Sequence, residues 1–286
     1  MGLPLTVALN LIECSTEINK EKVLCLGKQD VKFSLTQLKT SARTLRHKID
    51  LSAFSGLEDD LELNQECFFK ALGFTHVHTL DVNRYEGAEI MFDLNEDKTP
   101  EEFVDSYDLI FDGGTLEHVF NIGNALKHLS KIVRQDGIIF HSNPCNGYVD
   151  HGFFQVSPNL YFDFYLSNEF NIVYAGIIEQ SFGRKIYQVK QDIYRTLDSR
   201  FGPRNAPRSV LNFCVRRLEK STHNIVPQQG FYQARWGNGS QFSYVVEKEV
   251  EMSKLKIAQK VFLIWINLPY SIIDGFRRFK NRNSRP

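Results

Sequence analysis

The sequence is poor in the features that announce a compartment, a metal or a familiar catalytic centre. It has five cysteines, an odd number with no CxxC pair. That argues against a disulfide scaffold or a thiolate zinc site. Several lie in apolar runs such as Val23-Leu24-Cys25-Leu26 and are expected as buried free thiols in a reducing compartment; Cys145 differs in falling in a predicted loop. Neither sign of charge prevails, since Lys plus Arg and Asp plus Glu are 34 each. Without a basic footprint, no nucleic-acid partner is expected. No GxSxG, P-loop or HExxH pattern occurs, nor any internal repeat or low-complexity tract. Met1–Leu5 lacks a basic segment leading into a long apolar stretch, so no secretory signal is expected and the location is read as cytoplasmic. The C-terminal apolar run Val261–Ile273 spans 13 residues and contains Asn267 and Pro269. A spanning helix needs about 20 apolar residues, so this run is too short.

What is present alternates. Lys22–Gly27 reads as a buried strand closed by glycine, and Ser34–Lys48 as helix-permissive. Asp60–Leu72 has apolar residues at helical spacing and stops at Gly73. His76–Leu80 leading to Asp81, Ala88–Leu94, Tyr107–Phe111, Gly137–His141, Phe170–Ile178 and Ser209–Arg216 read as six further strands. Asn121–Val133 and Ser157–Leu166 read as helices between them. Strands alternating with helices predict an α/β domain: a doubly wound, mostly parallel seven-stranded sheet covered on both faces. From about Lys220 the character changes. Ser221–Gly239 reads as a linker, Glu247–Lys260 as helix-permissive, and Val261–Ile273 runs into the basic residues Arg277, Arg278, Lys280, Arg282 and Arg285. The expected division is 1–219 for the α/β domain and 220–286 for a linker and helical C-terminal appendage. Residues 261–285 suit peripheral contact with an anionic membrane surface, self-association, or packing on the domain itself.

In open α/β sheets, ligands bind beyond the carboxyl ends of the strands. Candidate residues therefore come from those ends. Gly27-Lys28-Gln29 follows the first strand. Asp81 ends the second, where a carboxylate can accept hydrogen bonds from ribose hydroxyls, and Asp93 ends the third. Each also has a plainer reading, as a turn or helix cap. Asp112-Gly113-Gly114 ends the fourth strand, and Glu117-His118 follows. His118 is a candidate general base at neutral pH, with a structural role as the alternative. His141, Asn143, Tyr148, Asp150 and His151 cluster after the fifth strand and fit substrate contact, and the loop through Phe153 and Phe154 fits a lid. His76 and His78 share a strand face, but no third ligand is near, and no metal site is expected.

Lys22–Gly27, Asp81, Asp93, Tyr107–Val119 and Gly137–Pro144, in that order, resemble the class I S-adenosylmethionine-dependent methyltransferases. Asp108–Val119 looks like that family's fourth-strand motif. The likeness covers roughly residues 20–215 and is narrowest with a bacterial methyltransferase-like subgroup. It implies a Rossmann-like fold and S-adenosyl-L-methionine as cofactor. Gly27, Lys28 and Gln29 would then face the methionine part, Asp81 the ribose and Asp93 the adenine edge. Asp112 and Gly113 would line the cleft near the methionine. It further implies methyl transfer to a small polar acceptor such as a sugar or related metabolite, with His118 or His151 as base where the acceptor is a hydroxyl. The first loop departs from the family, carrying one glycine and a bulky cationic Lys28. This degenerate loop keeps an alternative open: a binding or assembly subunit that does not transfer methyl groups.

Overall fold

The computed structural model of the chain describes residues 2–45, 63–179, 186–190, 208–236 and 245–249. Seven strands form the expected sheet: β1 (Lys22–Leu26), β2 (His76–Asp81), β3 (Ile90–Met91), β4 (Tyr107–Asp112), β5 (Val133–Asn146), β6 (Asn171–Glu179) and β8 (Ser209–Arg216). Two more, β7 (Ile186–Lys190) and β9 (Val245–Glu249), extend it. The order is β3-β2-β1-β4-β5-β8-β6-β7-β9. Strands β3, β2, β1, β4 and β5 are mutually parallel. From β5 onward every pairing is antiparallel.

Both faces of the central strands are apolar, so alternate side chains enter two separate cores. Val23, Cys25, Leu109, Phe111, Ile138 and Phe140 join one core, with α1 (Leu5–Cys14) and α3 (Gln65–Ala71) packed on it. Leu24, Leu26, Ile110 and Ile139 join the other, with α4 (Ile122–Ile132) and α5 (Pro158–Ser167). The helix α2 (Leu35–Leu45) buries Leu35 and Leu38 in the first core. Asn64 and Asn121 cap α3 and α4 by accepting from backbone N–H groups three residues on, which satisfies donors a helix start leaves open.

Several elements differ from expectation. Helix α1 was signalled by no polar stripe, because seven of its ten residues are buried; amphipathic periodicity fades when a helix is apolar nearly all round. β3 has two residues rather than seven. β5 is longer than expected, because β8 pairs with it as far as Asn146. Past residue 219, the stretch read as linker supplies a short helix, α6 (Gly230–Arg235), and Val245–Glu249 pairs with β7. The break at Leu51–Gly56, the helix-permissive residues 250–260 and the whole segment 261–285 lie outside the described residues. Among the described residues, no helix is long and apolar enough to cross a membrane. All five cysteines are free, with Cys14, Cys25 and Cys214 buried.

The strand order turns back between β1 and β4. β2 and β3 lie to one side of that point, β5 and β8 to the other. Two loops leaving adjacent strand ends in opposite directions open a crevice there.

Candidate functional site: a cleft at the carboxyl ends of β1, β2 and β4

A cavity of about 360 Å³ opens at this point, within the range of small-molecule and cofactor sites. Its walls include Gly27, Lys28, Asp81, Asp93, Thr115 and His118. Parallel pairing aligns the strand ends, with Leu26 beside Leu80 on one side and Asp112 on the other. Residues distant in sequence thereby share one rim.

Gly27 sits at φ +66°, and a Cβ there would lie 3.3 Å from Thr115 Oγ1. The left-handed backbone favours glycine, and its bare Cα leaves main chain exposed to the cavity. The loop is braced from below. Thr115 Oγ1 donates to Leu26 O at 2.7 Å, and Gln29 Nε2 donates to Leu26 O at 2.9 Å. Gln29 N donates in turn to Gln65 Oε1 at 2.7 Å. Gln29 is thus largely buried, and its side chain braces the loop while the residue still contributes to the cavity lining. Lys28 is exposed at the rim.

Asp81 and Asp93 are half-buried on the cavity wall. Asn83 N contacts Asp81 Oδ1 only at 3.5 Å. Asp93 Oδ1 accepts from Asn95 N at 2.9 Å and Asn95 Nδ2 at 2.8 Å, closing a local turn. Asn95 Oδ1 accepts from Asn121 N at 2.9 Å, and His128 Nε2 meets Glu96 O at 2.7 Å. The Asp93 loop is therefore tied to α4. A glycine-bearing loop and two carboxylates on successive strand ends fit a nucleoside-containing cofactor of the kind the resemblance implies.

Asp112 and Gly113 need correction. Asp112 is fully buried beneath the cleft. It accepts from Thr115 N at 2.9 Å and Leu116 N at 3.3 Å, holding the 3-10 turn Leu116–His118. Its other oxygen meets His141 Nδ1 at 2.9 Å and accepts from Asn143 Nδ2 at 2.9 Å. Burial raises its pKa, but the His141 hydrogen bond and charge, with Thr115 N–H and Asn143, outweigh it and hold the carboxyl below its ordinary range. Gly113 faces Gln29 instead of the cavity: a Cβ there would lie 2.3 Å from Gln29 Oε1. Gly114 takes its place on the wall.

The expected substrate cluster also divides. His141 and Asn143 are fully buried. The His141 ring stacks on Tyr161 at 4.3 Å, and its Nε2 meets Tyr165 OH at 2.7 Å. Both residues support the site from within. His151 remains exposed, and its ring lies 5.1 Å from that of His118. Burial, and then the charge of His151, lower the His118 pKa. Phe120 and Phe153 are exposed, with rings 5.5 Å apart.

Glu117 joins the site without any local sequence signal of its role. It is fully buried between Asn143 and the two histidines. Burial, followed by the Asp112 charge, pushes its carboxyl up to about 7. Its position beside His118 was visible in the sequence. The partners that make it unusual come from β5 and the loop after it, which no local pattern connects. His78 Nδ1 is engaged with Tyr107 OH at 2.9 Å, and the His76 ring lies 6.2 Å from that of His78.

No family model and no curated protein matches this chain. Solved structures are similar to it only at low identity and low TM-score. YcgJ from Bacillus subtilis is 12% identical, with 74% of this chain and 98% of that one covered, at a TM-score of 0.39. An S-adenosylmethionine-dependent methyltransferase from Mesorhizobium loti is 13% identical, with 74% and 98% covered and a TM-score of 0.37. The [4+2]-cyclase SpnF is 9% identical, with 73% and 79% covered and a TM-score of 0.36. The function has to be argued from the site.

Proposed function

We propose that the chain binds S-adenosyl-L-methionine in the cleft and transfers its methyl group to a small polar acceptor such as a sugar or related metabolite. The observation that carries this reading is the convergence of Gly27, Asp81 and Asp93 on one cavity at the turn in strand order. The Gly27 loop would take the methionine part through exposed main chain. Asp81 would accept hydrogen bonds from the ribose hydroxyls, and Asp93 would lie at the adenine edge. When bound, the donor supplies an electrophilic methyl carbon. The protein's task is then to align acceptor and methyl in line, which is mainly a matter of positioning. His118 on the wall, with His151 beside it, marks where the acceptor would enter. The exposure of Lys28 lets solvent screen its charge from the sulfonium.

Calorimetric titration with S-adenosylhomocysteine tests the reading. Binding is expected for the native chain, weakened about tenfold or more in Asp81→Ala through loss of charge-assisted hydrogen bonds. A folded native protein that binds neither S-adenosylmethionine nor S-adenosylhomocysteine would favour the binding or assembly subunit instead, a reading motivated by the single-glycine loop with Lys28.

A further inference from the structure

Beside the donor cleft is a group whose bonding is incomplete. Glu117 is fully buried, yet its Oε1 has no hydrogen-bond partner. Its other oxygen is held firmly. Asn143 Nδ2 donates to Glu117 Oε2 at 3.0 Å, and Tyr161 OH donates to Asn143 Oδ1 at 2.6 Å. The carboxylate is thus oriented from behind, with Oε1 on the far side. Leaving a buried acceptor unmet costs about 1–3 kcal/mol, more for a charged one. Such a group calls for a partner outside the chain.

What Oε1 faces is specific. His118 Nε2 lies 3.8 Å away and His151 Nε2 lies 3.7 Å away. All three ligand atoms fall within 4.8 Å of one another. These separations are too long for hydrogen bonds. They are close to what a shared ion requires, because tetrahedral bonds of about 2.0–2.1 Å set neighbouring ligand atoms about 3.3 Å apart. A contraction of a few tenths of an ångström about Oε1, with a modest approach of the two rings, would close the set.

The loop carrying His151 is built against the other two residues. Phe154 N donates to Glu117 O at 3.1 Å. A Cβ on Gly152 would lie 2.8 Å from Glu117 O and 3.1 Å from His118 Nδ1, so only glycine lets the loop come this close. His118 and Glu117 are fixed by the 3-10 turn that Asp112 holds.

We propose that Glu117, His118 and His151 bind a divalent transition-metal ion at the edge of the cleft. Two imidazole nitrogens and one carboxylate oxygen suit Zn²⁺ and its first-row neighbours, whereas Mg²⁺ and Ca²⁺ take oxygen ligands. Three protein ligands leave a position for water or a substrate oxygen, and His118 brings that position to the cavity wall. Asn143 is the residue that orients the carboxylate, as outer-shell partners of metal ligands do. The two histidines then act as ligands, not as proton acceptors. This inference stands on the three-residue geometry and holds whether or not the cleft takes a methyl donor.

The test is equilibrium dialysis of metal-stripped, full-length protein against Zn²⁺, with bound metal counted by mass spectrometry. We expect one Zn²⁺ per chain, undisplaced by excess Mg²⁺. Affinity should fall about tenfold or more in Glu117→Gln and in His151→Ala. His76→Ala serves as a control for the other histidine pair and should bind as the native chain does. Replacement by Co²⁺ should give visible absorption bands that disappear in His151→Ala. Because His151 is exposed, that variant keeps the test open if Glu117→Gln fails to fold, as followed by circular dichroism. Failure to retain Zn²⁺, or retention undiminished in a His118→Ala/His151→Ala double variant, overturns the proposal.

Discussion

Asp81 and Asp112 both end parallel strands beside β1, and in sequence they are alike: an aspartate after an apolar run. What separates them is their neighbours. β4 lies between β1 and β5, and β5 delivers His141 and Asn143 to Asp112. Asp81 lies further out, half-buried on the cavity wall. We expect Asp112→Ala to destabilise the fold by about 3 kcal/mol or more, since it strands His141 and Asn143 and frees the 3-10 turn. Urea unfolding measures this; a loss below about 1 kcal/mol would contradict the structural role. The sequence marked both aspartates as site residues. It could not tell a wall from a foundation, because that depends on which strand inserts next to which. Glu117 was missed for the same reason, its significance coming from Asn143 and His151.

At the scale of elements, the parallel half of the sheet was legible because its strands are short apolar runs closed by Gly or Asp. The antiparallel half was legible only in part. β6 and β8 show as apolar runs, but the length of β5 is set by its partner β8. α6 was hidden in a stretch rich in turn-forming residues, and a contact across the chain marks it. Asp163 on α5 is buried and its Oδ2 accepts from Gly230 N at 3.2 Å, where α6 begins. Burial pushes its carboxyl up to about 6, against the opposing effect of Gly230 N–H. The folded state therefore holds this proton more tightly than the unfolded chain, whose value is about 4. Stability from this group is fullest below pH 4 or so and declines as pH rises to about 6, then levels off. Asp163→Asn removes the dependence and keeps an acceptor for Gly230. Its stability relative to the native chain should rise by roughly 2 kcal/mol between pH 4 and pH 7. Urea midpoints over that range measure it, and a difference constant with pH would refute the assignment.

At the scale of the whole molecule, the cleft draws its described walls from residues 27–119. The Glu117–His118–His151 cluster beside it adds His151. β7, β9 and α6 lie on the other side of β5 in the sheet or pack there. On this reading, removing residues 261–286 should leave the affinity for S-adenosylhomocysteine within about twofold, as for a site complete in the described residues. A large loss on truncation, measured by calorimetry, would mean that the C-terminal segment completes the cleft. Fold class was readable from strand–helix alternation. The edge on which the cavity opens followed from the same pattern, because each strand's carboxyl end carried polar or glycine residues. The proposed reaction rests on the resemblance and the cleft together, and one observation tests it directly.

That observation is a crystal structure of the full chain grown with S-adenosylhomocysteine. The ribose hydroxyls should lie within hydrogen-bond distance of Asp81, the adenine edge at Asp93, and the homocysteine against Gly27 main chain. A ligand seated elsewhere, or an unchanged cleft in crystals saturated with S-adenosylhomocysteine, would contradict the account.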